Sequence, residues 1–434
     1  MIDRTLDRWF HLRERGTTAA TEARAGVVTF LTMAYILFVN PQILAQAGMP
    51  AEDVAVATAL ASAAATLLMG LLANYPVALA PGMGLNAYFT FGVVQGLGVS
   101  WQVALAAVFV EGVLFLLLAV SGARTALLRA IPEPLKLATM AGIGLFLAAI
   151  GFQNAGWVAD HPATLVTLGD LTAPAPLLAL GGLVVIVALL ARRVTGAILI
   201  GILAATAAAW ALGVAAPPER LLALPRLPSE TLFAFDFGGL LAGKTAAVVL
   251  AFLFVDLFDT AGTLIGVGRL AGLTDEKGEL PRAGRAFAAD ALGTSIGAAL
   301  GTSTVTSYVE SATGVEEGGR TGLTAVVVAL LFALSLFFTP LLTAVPAAAT
   351  APALVAVGAL MLAGARAIDW SRADDAVPAF LTLAAMPLTY SIANGISLGI
   401  VSWVAIKLLA GRWREVHPVL GGLAVALALF YGLR

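Results

Sequence analysis

The chain has 434 residues, of which 60% are hydrophobic and only 12% charged, with a mean hydropathy of +0.96. Because soluble domains carry about 25% charged residues, this composition predicts an integral membrane protein. The net charge of -2, without a basic patch, argues against nucleic-acid binding, and the lack of cysteine excludes disulfides, thiolate metal sites and thiol nucleophiles.

The first 24 residues carry several charges and lack the apolar core of a signal peptide. Their tryptophan and arginines instead predict an amphipathic segment in the cytoplasmic membrane interface. The three histidines, His11, His161 and His417, lie far apart in the chain, which argues against a histidine metal site. The sequence therefore predicts no metal and no cofactor.

Apolar stretches of about 20 residues, the length that crosses a bilayer as a helix, recur along the rest of the chain. Ten are predicted at 25–47, 54–73, 101–120, 137–155, 174–191, 195–212, 244–266, 287–301, 322–338 and 350–365. Two more share 376–410, which is broken near Pro387 and Asn394, and two short stretches rich in helix breakers lie at 76–91 and 302–314. This gives fourteen segments, with 419–433 as either a fifteenth crossing or an interfacial helix.

Basic residues concentrate in the loops that share one side of the membrane with the N-terminus if there are fourteen segments. They are Arg4, Arg8, Arg13, Arg15, Arg124, Arg129, Lys136, Arg192, Arg193, Arg269, Lys277, Arg282, Arg285, Arg366, Arg372, Lys407, Arg412 and Arg414. The opposite loops are poorer, and those at 156–173 and 339–346 have none. Because cytoplasmic loops carry the excess of Lys and Arg, the pattern predicts a cytoplasmic N-terminus.

The two sets of seven segments match in kind, since each has a long first helix and a breaker-rich third segment. An alignment offset of 224 residues places Thr32 on Asp256, Tyr35 on Asp259 and Asn86 on Glu310. Seven is an odd number, so the second half must be inserted upside down. Inverted repeats with helices interrupted at mid-membrane are typical of secondary transporters.

The third segment contains Pro81, Gly82 and Gly84, which predict a short extended piece followed by a half-helix. Its counterpart at 302–307 is rich in β-branched and hydroxyl residues, which favour a strand. Irregular backbone at this depth is tolerated only where protein buries it or it lines a cavity. The two strands are therefore expected to pair across the repeat interface, with the half-helix N-termini directed into one site.

Three acidic residues stand within apolar segments with no basic residue beside them: Asp256, Asp259 and Glu310. A carboxylate at mid-membrane costs roughly 2.5–3.5 kcal/mol on insertion scales, so these groups are used, satisfied internally or protonated. Asp256 and Asp259 share one helix face at a spacing of three. All three acids are candidates for substrate contact and for carrying a proton.

Further candidates follow from the repeat and from side-chain chemistry. Asn86, just past the first break, offers both a donor and an acceptor, and Thr32 and Tyr35 fall on the two aspartates at the repeat offset. Aromatic rings that could stack on a flat ligand, although such rings more often serve packing, are Phe89, Phe252 and Phe254. Two other acids within segments, Glu111 and Asp290, are interpreted as structural.

The pair Asp256 and Asp259 also allows an enzyme hypothesis, because intramembrane prenyltransferases hold Mg²⁺–diphosphate with aspartates. Such an enzyme needs Lys or Arg for the diphosphate and a second Asp cluster, and neither occurs within the segments. A channel does not explain unpaired acids beside two breaks, and a Ser/His/Asp catalytic site has no histidine within the segments. The sequence therefore predicts no enzymatic activity and no catalytic residue.

Five stretches resemble a known family. They are TTAATEARAGVVTFLTMAYILFVNPQIL, ALAPGMGLNAYF, FLFVDLFDTAGTLIGVG, TSTVTSYVESATGVEEGGRTGLTAVV and MPLTYSIANGISLG. The sequence resembles the AzgA-like branch of the nucleobase–cation symporter-2 (NCS2) family, the hypoxanthine/guanine/adenine permeases, from Thr17 to Arg414. The uracil and xanthine branches carry Glu where this chain has Asp256, so the resemblance favours the purine branch.

The resemblance implies the uracil-permease architecture: an all-α polytopic membrane protein of 14 segments in a 7+7 inverted repeat. Two short strands would lie in segments 3 and 10, with the substrate bound between them. A core domain would comprise 25–121 and 244–345 and a gate domain 122–243 and 346–411, with 1–24 and 412–434 as terminal segments. The family's binding residues match Asp256, Glu310 and Asn86, and its second aspartate matches Asp259.

The function implied is import of a purine nucleobase (adenine, guanine or hypoxanthine) by proton symport with elevator-like alternating access. The protein would lie in the bacterial inner membrane as a homodimer joined through the gate. Asp256 and Glu310 would bind purine N–H groups, and Asp256, Asp259 or Glu310 would carry the proton. The alternative within transport is a related elevator-type carrier for an anion such as bicarbonate or sulfate, which three carboxylates disfavour because they repel anions.

Overall fold

The computed structural model describes residues 2–121, 131–241, 246–275 and 280–432. These residues are mostly helical, with two small two-stranded sheets, and nine of the described helices are long and apolar enough to cross a membrane. All fourteen predicted segments occur as helices or as strand-and-half-helix pairs. Arg124, Arg129 and Lys277, and the expected domain boundaries near 122 and 244, lie outside the described residues.

The first half of the chain begins with an amphipathic helix. It also contains one short strand in segment 3 and two short strands in the loop after segment 5. Its elements are α1 (Ile2–Phe10), α2 (Ala19–Met33), α3 (Ile36–Ala45), α4 (Ala51–Leu68), β1 (Leu79–Pro81), α5 (Met83–Ala87), α6 (Trp101–Ser121), α7 (Glu133–Asn154), β2 (Val158–His161), β3 (Leu165–Leu168), α8 (Pro174–Ala191) and α9 (Ala197–Ala211). Single π-helical stretches at Met69–Ala73 and Tyr88–Gln95 continue α4 and α5.

The second half repeats this order in the membrane. Its elements are α10 (Phe237–Leu241), α11 (Ala246–Leu270), α12 (Ala283–Leu300), β4 (Val305–Ser307), α13 (Ser311–Glu316), α14 (Gly322–Ser335), α15 (Thr339–Thr343), α16 (Ala347–Leu362), α17 (Ala373–Leu388), α18 (Ile392–Leu409) and α19 (Pro418–Gly432). The predicted break in 376–410 falls between α17 and α18, where Tyr390 has a positive φ of 50°.

The strands of segments 3 and 10 pair with each other, as the sequence predicts. β1 and β4 are antiparallel, with Leu79 opposite Ser307 and Pro81 opposite Val305. Val305 also follows Pro81 by 224 residues, the offset that aligns the two halves. A twofold axis relating the halves at this offset therefore passes through the Pro81–Val305 pair.

The loop between α7 and α8 contains a hairpin that the sequence analysis did not predict. β2 and β3 pair antiparallel from Val158 opposite Leu168 to His161 opposite Leu165. Each strand has only four residues and most of their side chains are exposed, so no alternation of buried and exposed residues marks them in the sequence.

Near the C-terminus, α19 packs against α18, and its Leu420 is buried beside Trp403.

Helix packing groups the segments into two sets. In one set, α4 packs on α12 and α14, while α6 packs on α11 and α12; in the other, α7 packs on α16, α17 and α18, and α8 packs on α9 and α16. Side-chain contacts also join the two sets. Gln42 of α3 donates to the Val345 carbonyl at 2.7 Å and accepts from the Thr350 hydroxyl, and the Phe91 ring lies 5.9 Å from the Tyr390 ring.

The end of α4 crosses the start of α14 at two glycines. A Cβ on Gly322 would collide with the backbone of Gly70, and a Cβ on Gly70 would lie 2.7 Å from the Gly322 carbonyl oxygen. Asn74, with φ 56°, holds the crossing because its side-chain oxygen accepts from the Gly322 amide at 2.7 Å and its amide donates to the Phe10 carbonyl.

We expect Gly322→Ala to destabilise the protein by about 1–3 kcal/mol, the usual effect of overpacking a contact that cannot relax. Gly266→Ala in α11 is the control, because nothing lies within 4 Å of its Cβ position and alanine favours a helix interior. Thermal denaturation in detergent, followed by size-exclusion chromatography, measures the difference. Equal midpoints for the two variants would contradict the role of the crossing.

Candidate functional site

The two broken segments meet in a fully buried strand pair whose polar groups are bonded within the protein. The Gly82 amide donates to the Thr304 carbonyl at 3.0 Å, and the Tyr308 hydroxyl donates to the Pro81 carbonyl at 2.6 Å. Such internal bonding is what allows extended backbone inside a membrane protein. The strand pair thus fixes the starts of α5 and α13, which carry Asn86 and Glu310.

Glu310 immediately precedes α13 and is partly exposed. Its carboxylate accepts a hydrogen bond of 2.5 Å from the hydroxyl of Tyr35, which lies at the turn between α2 and α3. One turn earlier in α2, the Thr32 hydroxyl lies 3.1 Å from the Thr313 hydroxyl of α13. The structure therefore brings Tyr35 and Thr32 to the half-helix that Glu310 begins.

Asp259 and Asp256 project from one face of α11 towards the strand pair. The Thr306 hydroxyl of β4 lies 3.4 Å from an Asp259 oxygen and 2.9 Å from the Thr260 hydroxyl. Asp256 accepts from Thr260 and Thr294 at 3.4 Å each, and bonds of this length are weak. Asp259 is partly exposed whereas Asp256 is 0% exposed, so the two aspartates occupy an outer and an inner layer.

Asn86 is buried on α5 and only half satisfied. Its side-chain oxygen accepts from the Ser303 hydroxyl, but its Nδ2 has no acceptor among the described residues. A buried amide donor without a partner is unfavourable by about 1–3 kcal/mol, which makes this group a candidate for binding an acceptor atom of a ligand.

Phe252 lies fully buried in the packing between α11 and the continuation of α5. Its ring is 5.0 Å from the Tyr88 ring at an interplanar angle of 62° and 6.5 Å from the Phe89 ring. Phe254 instead stacks on Phe258 within its own helix. In this conformation Phe89 and Phe252 therefore pack against each other, whereas Phe254 packs on Phe258.

Several polar residues near the breaks were not singled out in the sequence. The hydroxyls that bond the acids, Asn86 and the strand pair belong to Thr260, Thr294, Ser303, Thr306 and Tyr308. Thr260 follows Asp256 by one helical turn, a spacing that could have indicated its contact. In the described parts of the chain, no group of three histidine or acidic side chains is arranged to hold a metal ion.

Known proteins are similar to this chain over nearly its whole length. A family model described as Permease family, Xan_ur_permease, matches residues 21–398. A putative permease of Methanocaldococcus jannaschii is 51% identical over 99% of this chain and 98% of its own. The guanine/hypoxanthine permease PbuO of Bacillus subtilis is 46% identical over 94% and 96%, and the adenine permease AdeP of Escherichia coli is 44% identical over 95% and 93%.

Solved structures share the fold at low sequence identity. The transmembrane domain of the cyanobacterial bicarbonate transporter BicA superimposes with a TM-score of 0.67 and 14% identity, covering 86% of this chain and 97% of that domain. The murine anion transporter Slc26a9 in its inward-facing state gives a TM-score of 0.63 and 13% identity, covering 91% of this chain and 68% of that chain. These similarities concern the arrangement of helices and strands.

Proposed function

This chain belongs to the Xan_ur_permease family of permeases, and from that membership we propose that it imports purine nucleobases by proton symport. It is a multi-pass membrane transporter and not an enzyme, since its relatives are permeases. The purine specificity is proposed because relatives of 44–46% identity over more than nine-tenths of the chain are named for guanine, hypoxanthine or adenine.

The observation that carries the proposal is the group of acidic and amide side chains where the two breaks cross. Glu310 and Asp259 offer carboxylate acceptors to the partly exposed space, and Asn86 offers an amide donor that has no partner in the described part of the chain. A purine presents N–H donors together with ring-nitrogen or carbonyl acceptors along its edges. We therefore propose that Glu310 and Asp259 accept from purine N–H groups and that Asn86 donates to a purine acceptor.

The remaining candidates take supporting roles in this proposal. Tyr35 orients Glu310 through its 2.5 Å hydrogen bond, and Thr32 fixes α13 through Thr313. Phe252 holds the helix that carries both aspartates against α5. Asp256 lies beneath Asp259 and is fully buried, so we assign it the role of carrying the proton. Hydrogen bonds through Thr260 and Thr306 link it to Asp259 in the partly exposed layer.

A carrier of anions is the second candidate, because the solved structures with this fold include a bicarbonate transporter and an anion transporter. Anion binding near the breaks would place a negative ligand beside Glu310 and Asp259, with Asp256 just beneath. Like charges at such distances in a low dielectric repel strongly. The acids therefore favour a neutral ligand with N–H donors.

The proposal extends to architecture and location. We assign the helix set around α4, α6, α11, α12 and α14 to a core domain and the set around α7, α8, α16, α17 and α18 to a gate domain, which move relative to each other in an elevator-like cycle. A bacterial inner-membrane location, a cytoplasmic N-terminus and a homodimer joined through the gate complete it. Supporting observations are the asymmetry of basic loop residues and the poorly covered surface of α8.

Uptake of radiolabelled adenine, guanine and hypoxanthine into cells that lack their own purine permeases tests the proposal. We expect saturable uptake that collapses when a protonophore removes the proton gradient. Bicarbonate and sulfate in excess should not compete, whereas unlabelled purines should. Uptake at the level of cells with an empty vector would refute the proposed substrate, and uptake unaffected by the protonophore would refute proton coupling.

A further inference from the structure

Three carboxyl groups form a fully buried cluster behind the partly exposed layer of the candidate site. Glu111 on α6, Asp256 on α11 and Asp290 on α12 are each 0% exposed. The three helices pack against one another, and α6 approaches α12 so closely that a Cβ on Gly112 would lie 2.6 Å from the Ser295 hydroxyl. Rigid helix packing therefore fixes the positions of the three acids.

The cluster lacks the hydrogen bonds that buried carboxylates normally receive. Both carboxyl oxygens of Glu111 and one oxygen of Asp290 have no donor among the described residues. The other Asp290 oxygen accepts from the Ser307 hydroxyl at 2.9 Å, and both bonds to Asp256 are 3.4 Å long. A buried carboxylate without donors is strongly unfavourable, so the cluster requires a positively charged partner.

The helices that carry Glu111 and Asp256 meet at Thr294 of α12. A Cβ on Gly112, the residue after Glu111, would lie 3.0 Å from the Thr294 methyl group, and the Thr294 hydroxyl lies 3.4 Å from an Asp256 oxygen. Two ionised carboxylates cannot hydrogen-bond to each other because neither has a donor. A proton on one of them supplies that donor, permits a charge-assisted O–H···O bond and removes part of the repulsion.

No other charged group in the described chain meets this requirement. The elements packed on α6 are α10, α11, α12 and the turn Tyr88–Gln95; of these, α10 has no titratable side chain and the turn has only the Tyr88 phenol. From α11 and α12 the groups facing the cluster are acidic: Asp256, Asp290 and, one turn along, Asp259. None of these acids forms a salt bridge with a described basic residue.

Glu22 is a buried glutamate of this protein whose carboxylate is fully hydrogen-bonded. It is also 0% exposed, but its carboxylate accepts from the backbone amides of Arg320, Thr321 and Thr324 and from the Thr324 hydroxyl at 2.6 Å. Its charge is therefore satisfied by four donors. Glu111, with the same side chain and burial, has no donor among the residues that the structure describes.

We propose that Glu111, Asp256 and Asp290 form the site that holds the transported proton, and that Glu111 is the residue that receives it. This rests on the proposed proton-coupled transport. A proton entering from Asp259 and Asp256 forms an O–H bond on Glu111, and the carboxyl that gave it up returns to carboxylate. The net charge of the cluster thus changes only by the one proton that enters or leaves.

Glu111→Gln in proteoliposomes tests the proposal. The glutamine keeps the shape but cannot gain or lose a proton. We expect the variant to exchange internal for external purine while losing uphill uptake, so that the accumulation ratio driven by a proton gradient falls to about 1, because an uncoupled carrier draws no free energy from the gradient. We expect purine affinity to rise with acidity in the wild type and to be independent of pH in the variant.

Matched variants separate proton binding from a structural role. Glu111→Asp retains a titratable group and should restore part of the accumulation. Glu22→Gln removes a buried carboxylate that is fully bonded; it should lower thermal stability, yet leave any remaining uptake coupled to the gradient. If Glu111→Gln does not reach the membrane, Asp290→Asn takes its place in the same transport assay. The amide oxygen of this variant still accepts from the Ser307 hydroxyl.

Infrared spectroscopy of the purified wild type needs no variant to fold. At neutral pH it should show the C=O stretch of a protonated, buried carboxylic acid that shifts slowly in D₂O. The absence of this band, or proton-driven accumulation in Glu111→Gln equal to the wild type, would overturn the proposal. A wild type that transports no purine would instead refute the proposed function, while the infrared result still decides whether the cluster holds a proton.

Discussion

Replacing Glu310 with glutamine should reduce purine uptake by about 10- to 100-fold. A hydrogen bond to a charged group contributes about 1.5–3 kcal/mol, and each 1.4 kcal/mol corresponds to about tenfold in binding. The amide would also place an N–H₂ donor where the proposed ligand and the Tyr35 hydroxyl both donate. Initial rates of radiolabelled uptake, normalised to the amount of protein in the membrane, measure the effect.

Glu316→Gln provides the control for that experiment. The same chemical change then occurs in the same half-helix, but Glu316 is exposed and lies at the far end of α13. Its uptake should remain within the range of the wild type. Normal uptake by Glu310→Gln would show that the purine does not bind at the break, and equal losses in both variants would indicate a general effect on α13.

Lys407→Met should destabilise the protein by about 3 kcal/mol. The side chain of Lys407 is 1% exposed, and its ammonium lies 2.6 Å from Asp374, 3.1 Å from Asp375 and 2.9 Å from Glu415. Removing one partner of a buried ion pair usually costs about 3–5 kcal/mol. We expect the lower end of that range because Arg372 and Arg412 remain beside Asp374.

Such a loss is large compared with a typical stability of about 5–15 kcal/mol, so folded protein should decrease and the thermal midpoint in detergent should fall. Lys136→Met is the matched control, since its only described salt bridge is a 3.7 Å contact with Glu133, which is 73% exposed, and exposed pairs contribute about 0–1 kcal/mol. If the two variants have the same thermal midpoint, the ion cluster between α17 and α18 does not stabilise the packing of these helices.

The sequence predicted the segments and the strand pair because both leave a strong pattern. Hydropathy gives the length of each span, and the hydroxyl-rich run from Thr302 to Ser307 is unusual for a membrane helix. The repeat offset even places Pro81 on Val305, the residues that face each other in the sheet. Short exposed strands such as Val158–His161 lack such a pattern.

The prediction of the site was incomplete because contacts depend on how each helix is rotated. From the sequence, Glu111 is interpreted as structural, because nothing in it shows that the next residue, Gly112, packs against Thr294, a neighbour of Asp256. The division of the aspartates into a partly exposed Asp259 and a buried Asp256 likewise follows from packing. The assignment of substrate and proton roles to individual residues stays a prediction.

The Pro81–Val305 pair has a consequence for the origin of the chain. In an ancestral dimer of two identical seven-segment proteins inserted in opposite directions, the residue on the twofold axis would have faced its own copy, and every acid near it would have occurred twice. Fusion of two such copies into a single chain would remove that constraint. One copy could then keep Asp256, Asp259 and Glu310 while the other came to hold Thr32, Tyr35 and Asn86, which halves the negative charge gathered around the axis.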